Sequence, residues 1–132
     1  MKIDKKMALL WFYLATPVFV LLDLIFDWDI RVSFLDEHAG WKYLYYTFCL
    51  AIGLVMWKLP ALEAILGMVE GGVNMLLLTL SVMLPYYASI DLIANGEEIK
   101  NPLDNFGIFN YLLSGCFLLI SMQMRNLEAG KR

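Results

Sequence analysis

The chain has 132 residues, 61% of them hydrophobic and 17% charged, and its mean hydropathy is +0.65. Soluble domains are about half apolar and a quarter charged, so this composition excludes an ordinary soluble domain and also a disordered chain. The net charge of −3 and the isoelectric point of about 5.0 exclude a basic nucleic-acid-binding protein, and no nucleic-acid partner is expected. The length fits one domain, residues 1–132, and the sequence predicts a small integral membrane protein.

Four apolar segments divide the chain, and most charged residues lie between them. A helix needs about 20 apolar residues to cross roughly 30 Å of hydrocarbon. The predicted spans are 7–26, 42–59, 65–88 and 105–124. The second has the shortest uncharged run, and the lysines at its two ends extend it because their long side chains can reach the headgroups. We expect an all-α integral membrane fold, an antiparallel bundle of four transmembrane helices.

The first segment follows three lysines and so resembles a signal peptide. Its apolar run is longer than that of a signal peptide, and no cleavage site of small residues precedes Asp27. We interpret it as a retained helix. The connection after it alternates apolar and polar residues over 28–34, which is typical of a strand-like or interfacial stretch, although Ser33–Asp36 could instead begin one helical turn.

Lysine and arginine predict the orientation. With the N-terminus inside, the inner side carries Lys2, Lys5, Lys6, Lys58, Arg125, Lys131 and Arg132, and the outer loops carry Arg31, Lys42 and Lys100. This bias satisfies the positive-inside rule, so both termini are expected in the cytoplasm, with the bundle in a bacterial-type inner or plasma membrane. The outer loops are acidic through Asp27, Asp29, Asp36, Glu37, Asp91, Glu97, Glu98 and Asp104.

The third span carries small and polar residues along one helix face. At alternating spacings of four and three, which keep residues on one face, this stripe contains Glu63, Gly67, Glu70, Asn74, Leu77, Ser81, Leu84 and Ala88. Gly67 and Gly71 also form a GxxxG pair, which lets two helix backbones approach closely. We expect this face to meet protein, either as a helix–helix contact or as the lining of a path.

Glu70 is the first of two intramembrane carboxylates. If Tyr86 and Tyr87 mark the outer border, Glu70 lies about one turn inside the hydrocarbon edge, and no span contains a lysine or arginine deep enough to pair with it. An unpaired carboxylate there is either protonated and hydrogen-bonded, with Asn74 as a partner, or faces water and a cation. The sequence leaves both interpretations open.

Asp23 is the second intramembrane carboxylate. Asp27 lies four residues further on the same face, so the two could form an acidic outer mouth that concentrates cations, or simply a solvated helix end. In the fourth span, polar residues recur on one side and predict a second packing face, for which the third helix is a candidate partner. They are Asn110, Ser114 and Ser121, together with Gly107 and Met124.

Other chemistries are poorly supported by the sequence. His38 is the one histidine, Cys49 and Cys116 both lie within predicted spans, and eight methionines fit apolar packing better than copper binding. No phosphate-binding loop, nucleophile elbow or HExxH motif is present. We expect no cofactor, no metal and no enzymatic activity.

Two functions remain at this point. The first is an oligomeric membrane protein that conducts or couples small cations or protons along the third helix. Its path would consist of Glu70, Asn74, Glu63, Asp23 and Asp27. The second is an accessory or assembly subunit, or a membrane-stress sensor, whose polar stripe binds another helix. Since 132 residues leave little room for a pore, a homo-oligomer or a larger membrane-protein partner in the lipid bilayer is expected with either.

Overall fold

The computed structural model describes residues 4–35, 38–96 and 105–130, with the side chains of 91, 105 and 106 left out. Within these ranges all regular secondary structure is helical. The α-helices are α1 Lys5–Leu14, α2 Thr16–Phe26, α3 Ala39–Lys58, α4 Glu63–Ala88, α5 Ile90–Ala94 and α6 Asn105–Ala129, and single 3₁₀ turns occupy Ser33–Leu35 and Pro60–Leu62.

The first predicted span is one apolar segment with a break at its centre. α1 ends before Ala15, and α2 continues from Thr16 at an angle of 46°. Pro17 explains the break, because a proline lacks the N–H needed within a helix but is accepted in a first turn. The Thr16 hydroxyl donates to the carbonyl of Tyr13 at 2.6 Å and so satisfies one backbone group that the break exposes.

Two helical segments in the described ranges are long and apolar enough to cross a membrane, Pro60–Ala88 and Gly107–Ala129. The bent pair α1 and α2 becomes a third if it is counted as one span. α3 is not among them, because three tyrosines and two lysines lower its hydropathy. The chain is therefore an all-helical membrane protein by length and composition, while four spans and the orientation remain predictions.

The helices pack unevenly. α4 and α6 form the most extensive contact, and α1 packs against α3, α4 and α6. The core contains Leu9, Phe12, Tyr13, Cys49, Ile52, Met56, Ala64 and Met124. α3 packs mainly against α1 and α2 and touches α4 much less, although a turn of a few residues joins α3 to α4. The first half of α3 and the second half of α4 therefore stand apart.

The connection between α2 and α3 folds back into the bundle. Asp27, at the end of α2, and Arg31 both have left-handed backbone conformations, with φ of 58° and 72°. This conformation is uncommon for residues other than glycine and reverses the chain direction here. Ile30, Arg31 and Val32 are buried as a result, so this segment, which we name the returning loop (Asp29–Val32), is part of the interior. The following Ser33–Leu35 forms one 3₁₀ turn and no strand.

Several predictions concern residues outside the described ranges. These are the acidic and basic loop residues Asp36, Glu37, Glu97, Glu98, Lys100 and Asp104 and the terminal residues Lys2, Lys131 and Arg132, together with the side chain of Asp91.

Candidate functional site

A buried ion pair lies at the centre of the bundle. Arg31 Nη2 donates to Glu70 Oε2 at 2.6 Å, and both side chains are only 2% exposed. The expectation that Glu70 has no cationic partner is therefore wrong. It failed because it considered only residues within the spans, whereas Arg31 reaches Glu70 from the returning loop.

Three further groups donate to the Glu70 carboxylate. The Tyr13 hydroxyl donates to Oε2 at 2.5 Å, and the Tyr45 hydroxyl donates to Oε1 at 2.6 Å. The Cys49 thiol lies 3.6 Å from Oε1. With Arg31, each carboxylate oxygen has two donors from this chain. A metal or alkali cation would have to displace them, so this arrangement is not an open cation site.

The Arg31 guanidinium is held between aromatic rings as well as by Glu70. Its central carbon lies 4.3 Å from the Phe12 ring centroid and 4.8 Å from that of Tyr13. A desolvated cation over an aromatic face gains about 2 kcal/mol. Burial opposes the charged form of Arg31 and is the largest single effect, but Glu70, Cys49, Tyr13 and Tyr45 together outweigh it, and the pKa of Arg31 is raised. Two of its donors, Nε and Nη1, have no hydrogen-bond partner among the described residues.

Side chains from three helices satisfy the backbone of the returning loop. Asn110 on α6 accepts from the Arg31 N–H at 2.8 Å and donates to the Asp29 carbonyl at 2.8 Å. Asn74 on α4 donates to the Arg31 carbonyl at 3.0 Å, and Tyr46 on α3 donates to the carbonyl of the residue before Arg31 at 3.0 Å. Irregular backbone within a membrane needs such partners, because hydrocarbon offers none.

Asn74 joins this loop to the carboxylate and to α6. Its amide donates to the Tyr45 hydroxyl at 3.0 Å, and Tyr45 in turn donates to Glu70. Ser114 donates to the Asn74 side-chain oxygen at 2.8 Å. Asn74 therefore reaches Glu70 through Tyr45, where the sequence suggested a direct bond.

A second charged cluster lies near the end of α2 and the start of α3. Lys42 donates to Asp23 Oδ1 at 2.9 Å and to Asp29 Oδ1 at 2.7 Å, and the Asp23 side chain is 2% exposed. Asp23 is therefore a buried, paired residue and not a solvated helix end. Asp27, by contrast, is exposed at the end of α2, so the two aspartates do not form one acidic face.

The glycine pair of α4 faces other helices of the same chain. A Cβ on Gly67 would overlap Ser121 Oγ and lie 3.0 Å from Leu9, and a Cβ on Gly71 would lie 3.4 Å from Leu118. Gly67 therefore lets α4 approach α1 and α6 closely, whereas the site of Gly71 would accept a Cβ at ordinary contact distance. The first half of the predicted face, around Gly67, is thus occupied within the chain, while Leu77, Ser81 and Leu84 of the same face line an open groove.

Glu63 and Ser81 lie away from the ion pair. Glu63 is buried at the start of α4, and its Oε2 has no partner among the described residues. Between it and Glu70 on the same face, Gly67 packs against Leu9. Ser81 donates to the carbonyl of Leu78 at 2.8 Å and is only partly buried.

Two grooves and one small cavity lie among the described residues near this site. One groove, which we name the α3/α4 groove, has a volume of about 800 Å³. It is lined by Phe34, Leu35, Trp41, Leu44, Tyr45, Phe48, Val73, Leu77, Leu80, Ser81 and Leu84. A shallower groove of about 430 Å³ lies between α2 and α3, and a cavity of about 10 Å³ adjoins Arg31.

Sequence reasoning missed Arg31 and the tyrosines around Glu70. Tyr13 and Tyr45 lie near the ends of predicted spans, where tyrosines usually mark the membrane border, so their positions gave no sign of a carboxylate partner. Arg31 carried one weak signal, since it is a basic residue in an otherwise acidic segment. Comparison with protein-family models, curated proteins and solved structures finds no match.

Proposed function

We propose that this protein is a non-catalytic, non-conducting accessory subunit of a bacterial-type inner membrane that binds a larger membrane-protein partner in the α3/α4 groove. The observation that carries the proposal is the state of Glu70. Both of its carboxylate oxygens accept from Arg31, Tyr13, Tyr45 and Cys49 of the same chain. The residue best suited to handle an ion is thereby used to hold the interior together.

The surroundings of Glu70 also argue against a path through the bundle. Towards the start of α4, Gly67 is in contact with Leu9 and Ser121. Leu9 and Ser121 are fully buried, so this contact closes the interior between Glu63 and Glu70. Among the described residues, the polar network extends from Glu70 to the returning loop and to Ser114 and does not reach Glu63, which argues against a continuous path.

The α3/α4 groove supports partner binding because it is concave, apolar and open to the side. Its hydroxyl groups are already engaged, since Ser81 donates to the carbonyl of Leu78 and Tyr45 is bonded to Glu70 and Asn74. Helices in lipid associate through close packing. The occupant that fits is an uncharged transmembrane helix with large apolar side chains, supplied by the partner.

Four spans with both termini in the cytoplasm complete the proposal. Lys5 near the start of α1 donates to Gln123 near the end of α6 at 2.7 Å, and Lys6 lies 3.5 Å from Glu128. The start of α1 and the end of α6 are therefore in contact, which supports an even number of crossings. The positive-inside rule favours the cytoplasm for that side.

Photo-crosslinking in native membranes tests the groove. A photoreactive residue replaces Phe48, which is 55% exposed in the groove, and in a matched variant replaces Leu112, which is 65% exposed on α6 outside it. We expect a discrete adduct heavier than two copies of the chain from position 48 and none from position 112. A crosslinked dimer of the chain, or adducts with lipid alone from both positions, would overturn partner binding.

A blocking variant adds specificity to this experiment. Val73→Trp fills the groove from α4, while Val69→Trp adds the same ring to an exposed position one turn away that does not line it. The position-48 adduct should disappear with Val73→Trp and persist with Val69→Trp. An adduct that survives both substitutions does not depend on the groove.

Proton coupling is the second candidate, because Tyr13, Glu70 and Tyr45 form a chain of exchangeable protons. It requires Arg31 to leave Glu70 during a cycle. Proton flux into vesicles reconstituted with the purified protein distinguishes the candidates. A proton flux that Glu70→Gln abolishes would favour proton coupling over the accessory function. A proton flux into wild-type vesicles no larger than that into protein-free vesicles would support the accessory function.

A further inference from the structure

The small cavity beside the ion pair adjoins donors that lack partners. Its volume is about 10 Å³, and Arg31, Glu70, Asn74 and Ser114 contribute polar walls. Arg31 is 2% exposed, and its Nε and Nη1 have no hydrogen-bond partner among the described residues. A cavity needs about 10–15 Å³ to hold one water molecule, together with two to four polar partners.

We propose that this cavity is a binding site for a single ordered water molecule that accepts from the free donors of Arg31. Water fits by size and by charge: the Arg31–Glu70 pair is neutral as a unit, so a second anion would have no unbalanced charge to attract it. The water can donate in turn to acceptors in the wall, such as the Asn74 or Ser114 side-chain oxygen. It thus gives the guanidinium a partner on the side that Glu70 does not cover.

Gly71 and Gly72 give a matched pair of substitutions on α4. Gly71 lines the cavity, and an added Cβ would make ordinary contacts of 3.4 Å with Leu118. A Cβ on Gly72 meets nothing within 4 Å. Both changes bring the same helix-propensity gain, which is about fivefold in the folding equilibrium. We expect Gly72→Ala to show that gain and Gly71→Ala to fold about tenfold less favourably than Gly72→Ala, because it displaces the water and leaves Arg31 donors unpaired.

Nuclear magnetic resonance of the full chain in lipid nanodiscs gives the direct readout. The Nε–H resonance of Arg31, assigned by its loss in Arg31→Met, should show a cross-relaxation peak to water. That peak should vanish in Gly71→Ala and remain in Gly72→Ala. Absence of the peak in the wild type, its persistence in Gly71→Ala, or a Gly71→Ala variant as stable as Gly72→Ala would each overturn the water site.

Discussion

Replacing Arg31 by methionine removes a charge from the centre of the bundle and changes little else. Methionine keeps a long unbranched side chain to lie against Phe12, and it keeps a Cβ, so the cost of the positive φ at position 31 stays the same. The bonds to Asn110 and Asn74 use the backbone of residue 31 and can persist. The substitution therefore tests the ion pair separately from the returning loop.

The expected cost follows from the burial of Glu70. Without Arg31, its carboxylate keeps two tyrosine hydroxyls and a thiol but loses its counter-charge within a site that is 2% exposed. Removing one partner of a buried pair costs about 3–5 kcal/mol, because the remaining charge is left uncompensated. We expect Arg31→Met to lower the free energy of unfolding by that amount. Glu70→Gln should lower the free energy of unfolding by a similar amount, since it leaves the buried Arg31 guanidinium without its counter-charge.

Unfolding in mixed micelles with increasing dodecyl sulfate, followed by circular dichroism, measures these free energies. The double variant Arg31→Met with Glu70→Gln holds no buried charge at this site and should be more stable than either single variant by about 2 kcal/mol. Single variants within about 1 kcal/mol of the wild type, or effects of the two changes that simply add, would refute an energetically coupled pair.

Three further substitutions test other parts of the structure by the same measurement. Gly67→Ala should destabilise by about 1–3 kcal/mol, because its Cβ overlaps Ser121 Oγ, whereas Gly72→Ala on the same helix should not; equal stability of the two variants would contradict close packing there. Asn110→Leu removes the partner of the buried Arg31 N–H and a donor to the half-buried Asp29 carbonyl and should cost about 2–4 kcal/mol, and a cost below about 1 kcal/mol would show that the Arg31 N–H finds another partner. Asp27→Gly should stabilise by about 1 kcal/mol, because glycine adopts the φ of 58° freely, and a clear loss would indicate a structural role for its carboxylate.

The sequence predicted the helical segments well because their signal is local. The apolar runs 65–88 and 105–124 correspond to α4 and α6 within a few residues, and 42–59 corresponds to α3. The break near Ala15 could have been anticipated from Pro17. The polar face of the third segment is buried in its first half, which includes Asn74, since small and polar side chains rarely face lipid, but it becomes exposed towards Leu84 and Ala88.

The ion pair could not be predicted because its signal is not local. Arg31 and Glu70 are 39 residues apart, and pairing them requires two left-handed residues to turn a loop inward. Hydropathy assigns such a loop, with the charge of Arg31, to the outer surface of the membrane. The three-dimensional path of Asp29–Val32 brings Arg31 to Glu70, and the packing of α1 and α3 against α4 brings Tyr13 and Tyr45.

The returning loop also constrains the order in which the molecule can be assembled. Arg31 leaves the ribosome well before Glu70, and its backbone partner Asn110 follows 79 residues later on the last helix. Until that helix is in place, the loop cannot enter hydrocarbon with its backbone groups satisfied. We therefore expect the loop to take its buried position only after α6 has been synthesised, and a chain truncated before α6 to keep Arg31 outside the bundle.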